Sequence, residues 1–204
     1  MAEQFHQFDV EAYARCTDDE VARIVGWFKS RRSASLTLAQ DLRRLRLTAS
    51  TLAQFSKKNG CGTEGFFLQA LSVANGNIVD LPLLLARPGE WKLPGFGVAL
   101  CAEALRNLGF NLAKPDRHIL RAVGSWSLVA FVKWPERDGR KAPVASELEL
   151  RQTMLALQRL ASVVGEETTF VDSTIWTACA KSGAWLENRE LSAMTGDVAN
   201  DEHP

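Results

Sequence analysis

The sequence predicts an all-α fold. Apolar residues recur at three- and four-residue spacing along almost the whole chain, and Asn-Gly, Pro-Gly and single glycines punctuate those stretches. No stretch alternates apolar and polar residues strongly enough to require a sheet. The 204 residues are 46% hydrophobic and 24% charged, ordinary for a globular protein. They suffice for one core or for two small lobes sharing an interface.

The elements follow in order. Thr17-Asp18-Asp19-Glu20 is a capping box, and Val21, Ile24, Val25 and Phe28 behind it form the apolar stripe of a helix over 18–31. Leu38, Leu42 and Leu45 mark a second helix. Ser50 caps a short third one carrying Leu52 and Phe55, ended by Asn59-Gly60. Thr63 and Glu64 open a fourth, with Phe67, Leu68 and Leu71 inward and Asn75-Gly76 closing it. Asp80-Leu81-Pro82 starts a fifth, because proline is tolerated in a first helical turn. Leu93-Pro94-Gly95-Phe96-Gly97 reads as a tight glycine hairpin, followed by a helix from about Val98 to Leu108. Asp116 opens the next helix, to about Gly124, and Trp134 to Ser146 is the best loop candidate. Leu150, Met154, Leu157, Ala161 and Val164 line the longest amphipathic helix, broken by Gly165. A last helix starts after Val171-Asp172-Ser173, and residues 191–204 read as a disordered tail with little apolar content.

Charge and cysteine content narrow the function classes. Net charge is zero, but the last 24 residues hold five acids and two bases, leaving a net of +3 on the rest. The basic residues also cluster, at Lys29, Arg31 and Arg32; at Arg43, Arg44 and Arg46; at Lys57 and Lys58; and at Lys133, Arg137, Arg140 and Lys141. Such clusters permit a nucleic-acid partner and equally suit solvated helix faces. Cys16, Cys61, Cys101 and Cys179 are far apart, so neither a zinc site nor an iron–sulfur cluster built on close cysteines is expected, and reduced core thiols are. No metal ligand set is read from the sequence. The absence of an 18-residue apolar run and of a signal pattern at the first residues leads to the expectation of a cytoplasmic protein without membrane contact.

The hairpin and the helix opened by Asp116 carry the chemistry. Amides at Gly97 and Val98, where a helix begins, suit an anion such as a phosphate. Lys114-Pro115-Asp116-Arg117-His118-Ile119-Leu120-Arg121 then places a carboxylate at a helix mouth, about twenty residues later. Asp116 is either a helix cap or a catalytic carboxylate. Lys92 and Lys114 are either phosphate contacts or surface lysines, and His118 is a core or DNA-facing histidine rather than a metal ligand. Arg121 supports its own helix or a phosphate.

The stretch from about Gly62 to Arg121 resembles the helix-hairpin-helix DNA glycosylases, the endonuclease III and alkylbase-glycosylase superfamily. The resemblance rests on Leu93-Pro94-Gly95-Phe96-Gly97, on Ala99, Ala102 and Leu105 in the helix behind it, and on Asp116, His118, Ile119 and Arg121 in the family's D-x-H-h-x-R setting, where h is apolar. It implies a single two-lobed unit over 1–190, with a hairpin lobe of about 50–125 and a second lobe from 1–49 plus 145–190. It implies double-stranded DNA carrying a damaged or modified base as substrate, base flipping and base-excision DNA repair, and a monomer. Asp116 would be catalytic, and Lys92, Gly95, Phe96, Gly97, Val98, Lys114, His118 and Arg121 would bind DNA. Trp126, Trp134, Asp172 and Trp176 are candidates for the base pocket, although Trp176 in the core and Asp172 as a cap stand beside that reading. No cofactor is implied beyond a monovalent cation at the hairpin when DNA is bound. Bifunctional members carry a lysine two residues after the second hairpin glycine; Ala99 stands there, so the chain resembles the monofunctional, water-using members. The alternative is a non-catalytic hairpin module serving as a DNA-binding adaptor or structure sensor.

Overall fold

The computed structural model describes residues 2–134 and 141–182. Among the described residues there is no strand, and the chain is all-α. An irregular 3-10 segment at Ala2–Phe8 precedes α1 (Val10–Ala14), α2 (Asp18–Ser30), α3 (Leu38–Asn59), α4 (Thr63–Val73), α5 (Leu81–Ala86), α6 (Val98–Asn107), α7 (Arg117–Ser125), α8 (Glu147–Val164) and α9 (Thr168–Ser182). The expected tail at 191–204, and Arg137 and Arg140 of the last basic cluster, lie outside the described residues. No described helix is long and apolar enough to cross a membrane.

The chain forms two compact units, one of Met1–Asn77 with Leu84–Gly97 and the other of Ile78–Leu83 with Val98–Pro204. This division differs from the expected lobes of 50–125 and 1–49 plus 145–190. A boundary at residue 50 would cut α3, which is one continuous rod of 22 residues.

In the first unit, α3 packs against α1, α2 and α4. The second and third helices expected from sequence are one helix here. Ser50 does not cap: its hydroxyl donates to Ala14 O at 3.4 Å, and no Gly or Pro separates Leu45 from Ser50. Propagating an existing helix through such residues costs far less than nucleating a new one. The Thr17 box forms as expected, with Thr17 N donating to Glu20 Oε2 at 2.7 Å and Glu20 N to Thr17 Oγ1 at 3.2 Å. Behind it Val21 and Ile24 are fully buried beside Tyr13, Cys16, Leu42 and Ala49. In α4 the inward aromatic is Phe66, whereas Leu68 points outward, 60% exposed. Phe66 packs with Phe55 and Trp91, ring centroids 5.1–5.7 Å apart, which sets the inward face by aromatic area rather than by the leucine spacing.

In the second unit, α7, α8 and α9 pack on one another. Ile119 and Val123 of α7, Met154, Leu157 and Ala161 of α8, and Val171, Ile175 and Cys179 of α9 are buried. Leu150 is only half-buried and Val164, at the α8 end, is exposed, so the expected stripe holds in its middle alone. Ser146 and Glu149 form a second capping box, and the buried Glu149 also accepts from Val132 N at 2.7 Å. Those hydrogen bonds, from Ser146 first and Val132 next, hold its carboxyl below the usual range. α9 starts at Thr168, well over a turn earlier than expected, because Asn111 Oδ1 takes the Thr169 N–H at 3.0 Å and satisfies an opening amide from a distant segment. Asp172 therefore sits inside the helix and is not its cap.

Candidate functional site

The hairpin belongs to the first unit. Phe96 N donates to Leu93 O at 3.1 Å, with Pro94 second and Gly95 third at φ +79°, the pattern of a type II turn. Thr48 Oγ1 donates to Pro94 O at 2.8 Å, and Leu93 N to Leu85 O at 2.9 Å at the end of α5. Lys92 Nζ donates to Ala86 O at 2.6 Å and Phe96 O at 2.5 Å, so this lysine staples the loop. The carbonyls of Leu93, Pro94 and Phe96 thus each accept a hydrogen bond within the protein, and a monovalent cation would have to compete for them.

The two glycines differ. A Cβ on Gly95 would lie 2.5 Å from Arg44 Cβ, on top of the left-handed φ. Gly97 has open space where a Cβ would be and no positive φ. Gly95→Ala is expected to lower the unfolding free energy by about 1–3 kcal/mol, the scale of such backbone strain, read as a reduced denaturation midpoint. Gly97→Ala is expected to leave it within about 0.5 kcal/mol. α6 begins at Val98, so the amides of Gly97 and Val98 stand at a helix N-terminus, where no intrahelical acceptor exists.

Asp116 lies in the second unit as the N-cap of α7. Its Oδ1 accepts from His118 N at 2.9 Å and Ile119 N at 3.2 Å. Its other oxygen, Oδ2, faces Lys114 Nζ at 3.9 Å, and the side chain is 16% exposed. Capping thus occupies one carboxylate oxygen and leaves the second toward a lysine. Lys114 Nζ also meets Glu103 Oε2 at 3.3 Å, and Lys114 N donates to Asp172 Oδ1 at 3.0 Å. Asp172 Oδ2 accepts from Arg106 at 2.5 Å, and Arg106 reaches Ser173 Oγ at 2.8 Å. Glu103, Arg106, Lys114, Asp172, Ser173, Trp176 and Thr177 line a pocket of about 240 Å³.

Asp172 is 1% exposed, and burial pushes its carboxyl up to about 6, against the opposing pull of Arg106 and the Lys114 N–H. Asp116 and Glu103 add to the upward push. Each Asp172 oxygen already accepts a hydrogen bond, so this residue fixes Arg106 and the chain at Lys114 rather than presenting an open edge to the pocket. Trp176 is 41% exposed and meets the His118 ring edge-on at 5.8 Å, so it is a pocket wall and not a core residue.

His118 accepts from Arg117 Nε at 3.3 Å and lies 3.3 Å from Arg121 Nη2 at its other ring nitrogen. Burial first, and then Arg121, Arg117 and Lys114, lower its pKa; Asp116 alone opposes them. The imidazole is therefore neutral near pH 7. Arg121 is 6% exposed and donates through Nε to Arg117 O at 3.1 Å. That bond returns the side chain to its own helix, one turn back.

Sequence reasoning thus selected Lys114, Asp116, His118, Asp172 and Trp176, which the fold gathers in one neighbourhood. It missed Glu103, Arg106 and Ser173. Arg106 looks like an ordinary cation in a last helical turn, and its partner is 66 residues away. Trp126 and Trp134 do not line this pocket. Trp126 ends α7, and Trp134 packs edge-on to Phe131 and over Gly124, where a Cβ would lie 2.6 Å from its ring. The basic residues of α3 are partly paired: Arg43 and Arg46 reach Asp18, and Arg44 reaches Asp41.

Comparison with known proteins finds no match for this chain among family models, curated proteins or solved structures.

Proposed function

We propose that the protein is a monofunctional DNA N-glycosylase of the helix-hairpin-helix type, acting on a damaged or modified base flipped out of duplex DNA. The observation that carries this reading is the placement of Asp116: one oxygen locked by two amides, the other turned toward a lysine beside a pocket with an exposed indole wall. Breaking an N-glycosidic bond builds positive charge on the deoxyribose as the base leaves. Asp116 Oδ2 stabilises that charge and orients the attacking water. Trp176 offers the flat apolar face that an extrahelical base stacks on. Lys114 Nζ, 3.9 Å from Oδ2, holds the carboxylate in place. Ala99 cannot form a Schiff base, so water is the nucleophile and the product is an intact abasic site.

The hairpin supplies the grip on the strand. Amides of Gly97 and Val98 receive a phosphate, sequence-independently. Incubating the purified protein with duplex oligonucleotides carrying different modified bases, with and without alkali, tests the whole reading. Strand breaks that appear only after alkali are the expected result. Breakage without alkali, or a covalent adduct trapped by borohydride, would refute the monofunctional assignment.

The grip has its own test. Gly97→Asp places a carboxylate where the phosphate is received, and the site has room for it. DNA affinity is expected to fall roughly tenfold at moderate salt, about the value of one phosphate contact, for modified and unmodified duplexes alike. Gly97→Ala separates charge from bulk and should bind nearly as the parent does. Parental affinity in a folded Gly97→Asp protein would overturn the phosphate reading.

A further inference from the structure

The first unit carries a second cluster of chemistry-bearing side chains that the glycosylase reading leaves unused. His6 Nε2, Cys16 Sγ and a Glu20 carboxylate oxygen lie within 4.8 Å of one another. They come from three segments: the 3-10 turn before α1, the short link between α1 and α2, and the first turn of α2. We propose that these three residues bind one divalent metal ion of the zinc class, with a fourth coordination position left to water.

Four observations support it. His6 Nε2 is buried with no hydrogen-bond partner; its nearest carboxylate oxygen, Glu20 Oε1, is 3.7 Å away. A buried polar atom left without a partner is costly and rare, and a cation is a partner that fits it. Glu20 is already oriented, because Oε2 is held by Thr17 N and Thr17 Oγ1 at 2.7 and 3.1 Å, which turns Oε1 toward the histidine. That is the role an outer hydrogen bond plays in fixing a carboxylate ligand. Cys16 is 4% exposed, and its thiol contacts Thr17 O at 3.7 Å and interacts with the Glu20 carboxylate. Finally, His6, Gln7 and Phe8 hold three successive left-handed φ values, +50°, +58° and +63°, without a glycine among them. That strained turn is what brings the imidazole over α2, and a bond to a metal would offset it.

The donor set, one thiolate, one imidazole and one carboxylate, suits zinc better than magnesium or calcium. Tetrahedral bonds of about 2.0–2.3 Å give ligand–ligand edges of about 3.3–3.8 Å, so the cluster closes by roughly 1 Å at its widest edge. Burial, with Glu20 beside it, holds the Cys16 thiol protonated in the metal-free protein. Binding therefore replaces the S–H bond with an S–metal bond and releases one proton to solvent.

Cobalt(II) titrated into the full-length protein, free of any histidine tag, tests the site. The expected result is one equivalent bound, with a thiolate-to-cobalt charge-transfer band that zinc abolishes by displacement. Cys16→Ser should lose the band. His6→Ala and Glu20→Gln should weaken binding roughly 10–100-fold, the latter while keeping the capping box that glutamine also makes. Circular dichroism of the metal-free proteins establishes that each variant is folded. No equimolar binding by the parent overturns the proposal, as does a band that persists in folded Cys16→Ser, since it would arise from another thiol such as Cys61.

Discussion

Asp116→Asn is expected to cut base release by about 10²–10³-fold, the usual loss when one preorganised electrostatic group is removed from a reacting charge. The substitution separates the capping that the structure gives Oδ1 from the catalytic role proposed for Oδ2. Asparagine keeps an oxygen for the His118 and Ile119 amides, which asparagine also caps well, so α7 should remain intact. It removes the negative charge at the position of Oδ2, beside Lys114. Lys114 then loses one of its two acidic neighbours and keeps Glu103. DNA affinity should be equal or higher, because a negative charge near phosphates is gone. Single-turnover base release and duplex affinity, measured on the same preparation, read both effects. Undiminished release would sink the catalytic role, and a parallel collapse of affinity and thermal stability would leave Asp116 as a cap only.

The sequence carried the local structure of the hairpin and of the α7 cap well, because each is written in a short run. Pro94-Gly95 specifies the turn by itself, through a fixed proline φ and a residue tolerant of +79°. Asp116 three residues ahead of Ile119 is a cap signal that needs no tertiary information. Ser50 shows the limit. Its local signal is a helix start, yet Leu47, Thr48 and Ala49 contain nothing that stops a helix, and acceptors on other segments claim the hydroxyls of Thr48 and Ser50. α1 is five residues long, too short for any periodicity, and exists because Asp9 caps it and Tyr13 is buried, with its hydroxyl on Leu42 O. Arg106 and Asp172 depend on a pairing across 66 residues, for which the sequence has no mark. The expected short third helix fails because Ser50 reads as a helix start where α3 runs on unbroken.

Asp172 is expected to make the protein less stable as pH rises from 4 to 7, relative to Asp172→Asn. The sign follows from where the protons sit. In the unfolded chain the carboxyl releases its proton near the ordinary 3.8, whereas in the fold it keeps it until about 6. Between those values the folded state holds more protons, so raising the pH favours unfolding. A difference of that size corresponds to about 3 kcal/mol, reached in full above pH 6 and absent below the unfolded value. The other carboxylates of the protein, including the depressed Glu149, titrate in both proteins, so the difference between the two stability curves isolates Asp172. Asparagine here still offers an oxygen to the Lys114 N–H, while Arg106 retains Ser173 and the Thr169 carbonyl. Its absolute stability therefore shifts by an offset, and the slope is the diagnostic quantity. Denaturant unfolding of both proteins at several pH values between 4 and 7.5 measures it, and parallel curves would mean that the carboxyl titrates in the fold as it does in the unfolded chain. The same titration bears on the pocket. At neutral pH the ionised Asp172 holds Arg106 and the Lys114 backbone in place at a cost to folding, the arrangement expected where a charge is buried to position other groups rather than to stabilise the chain.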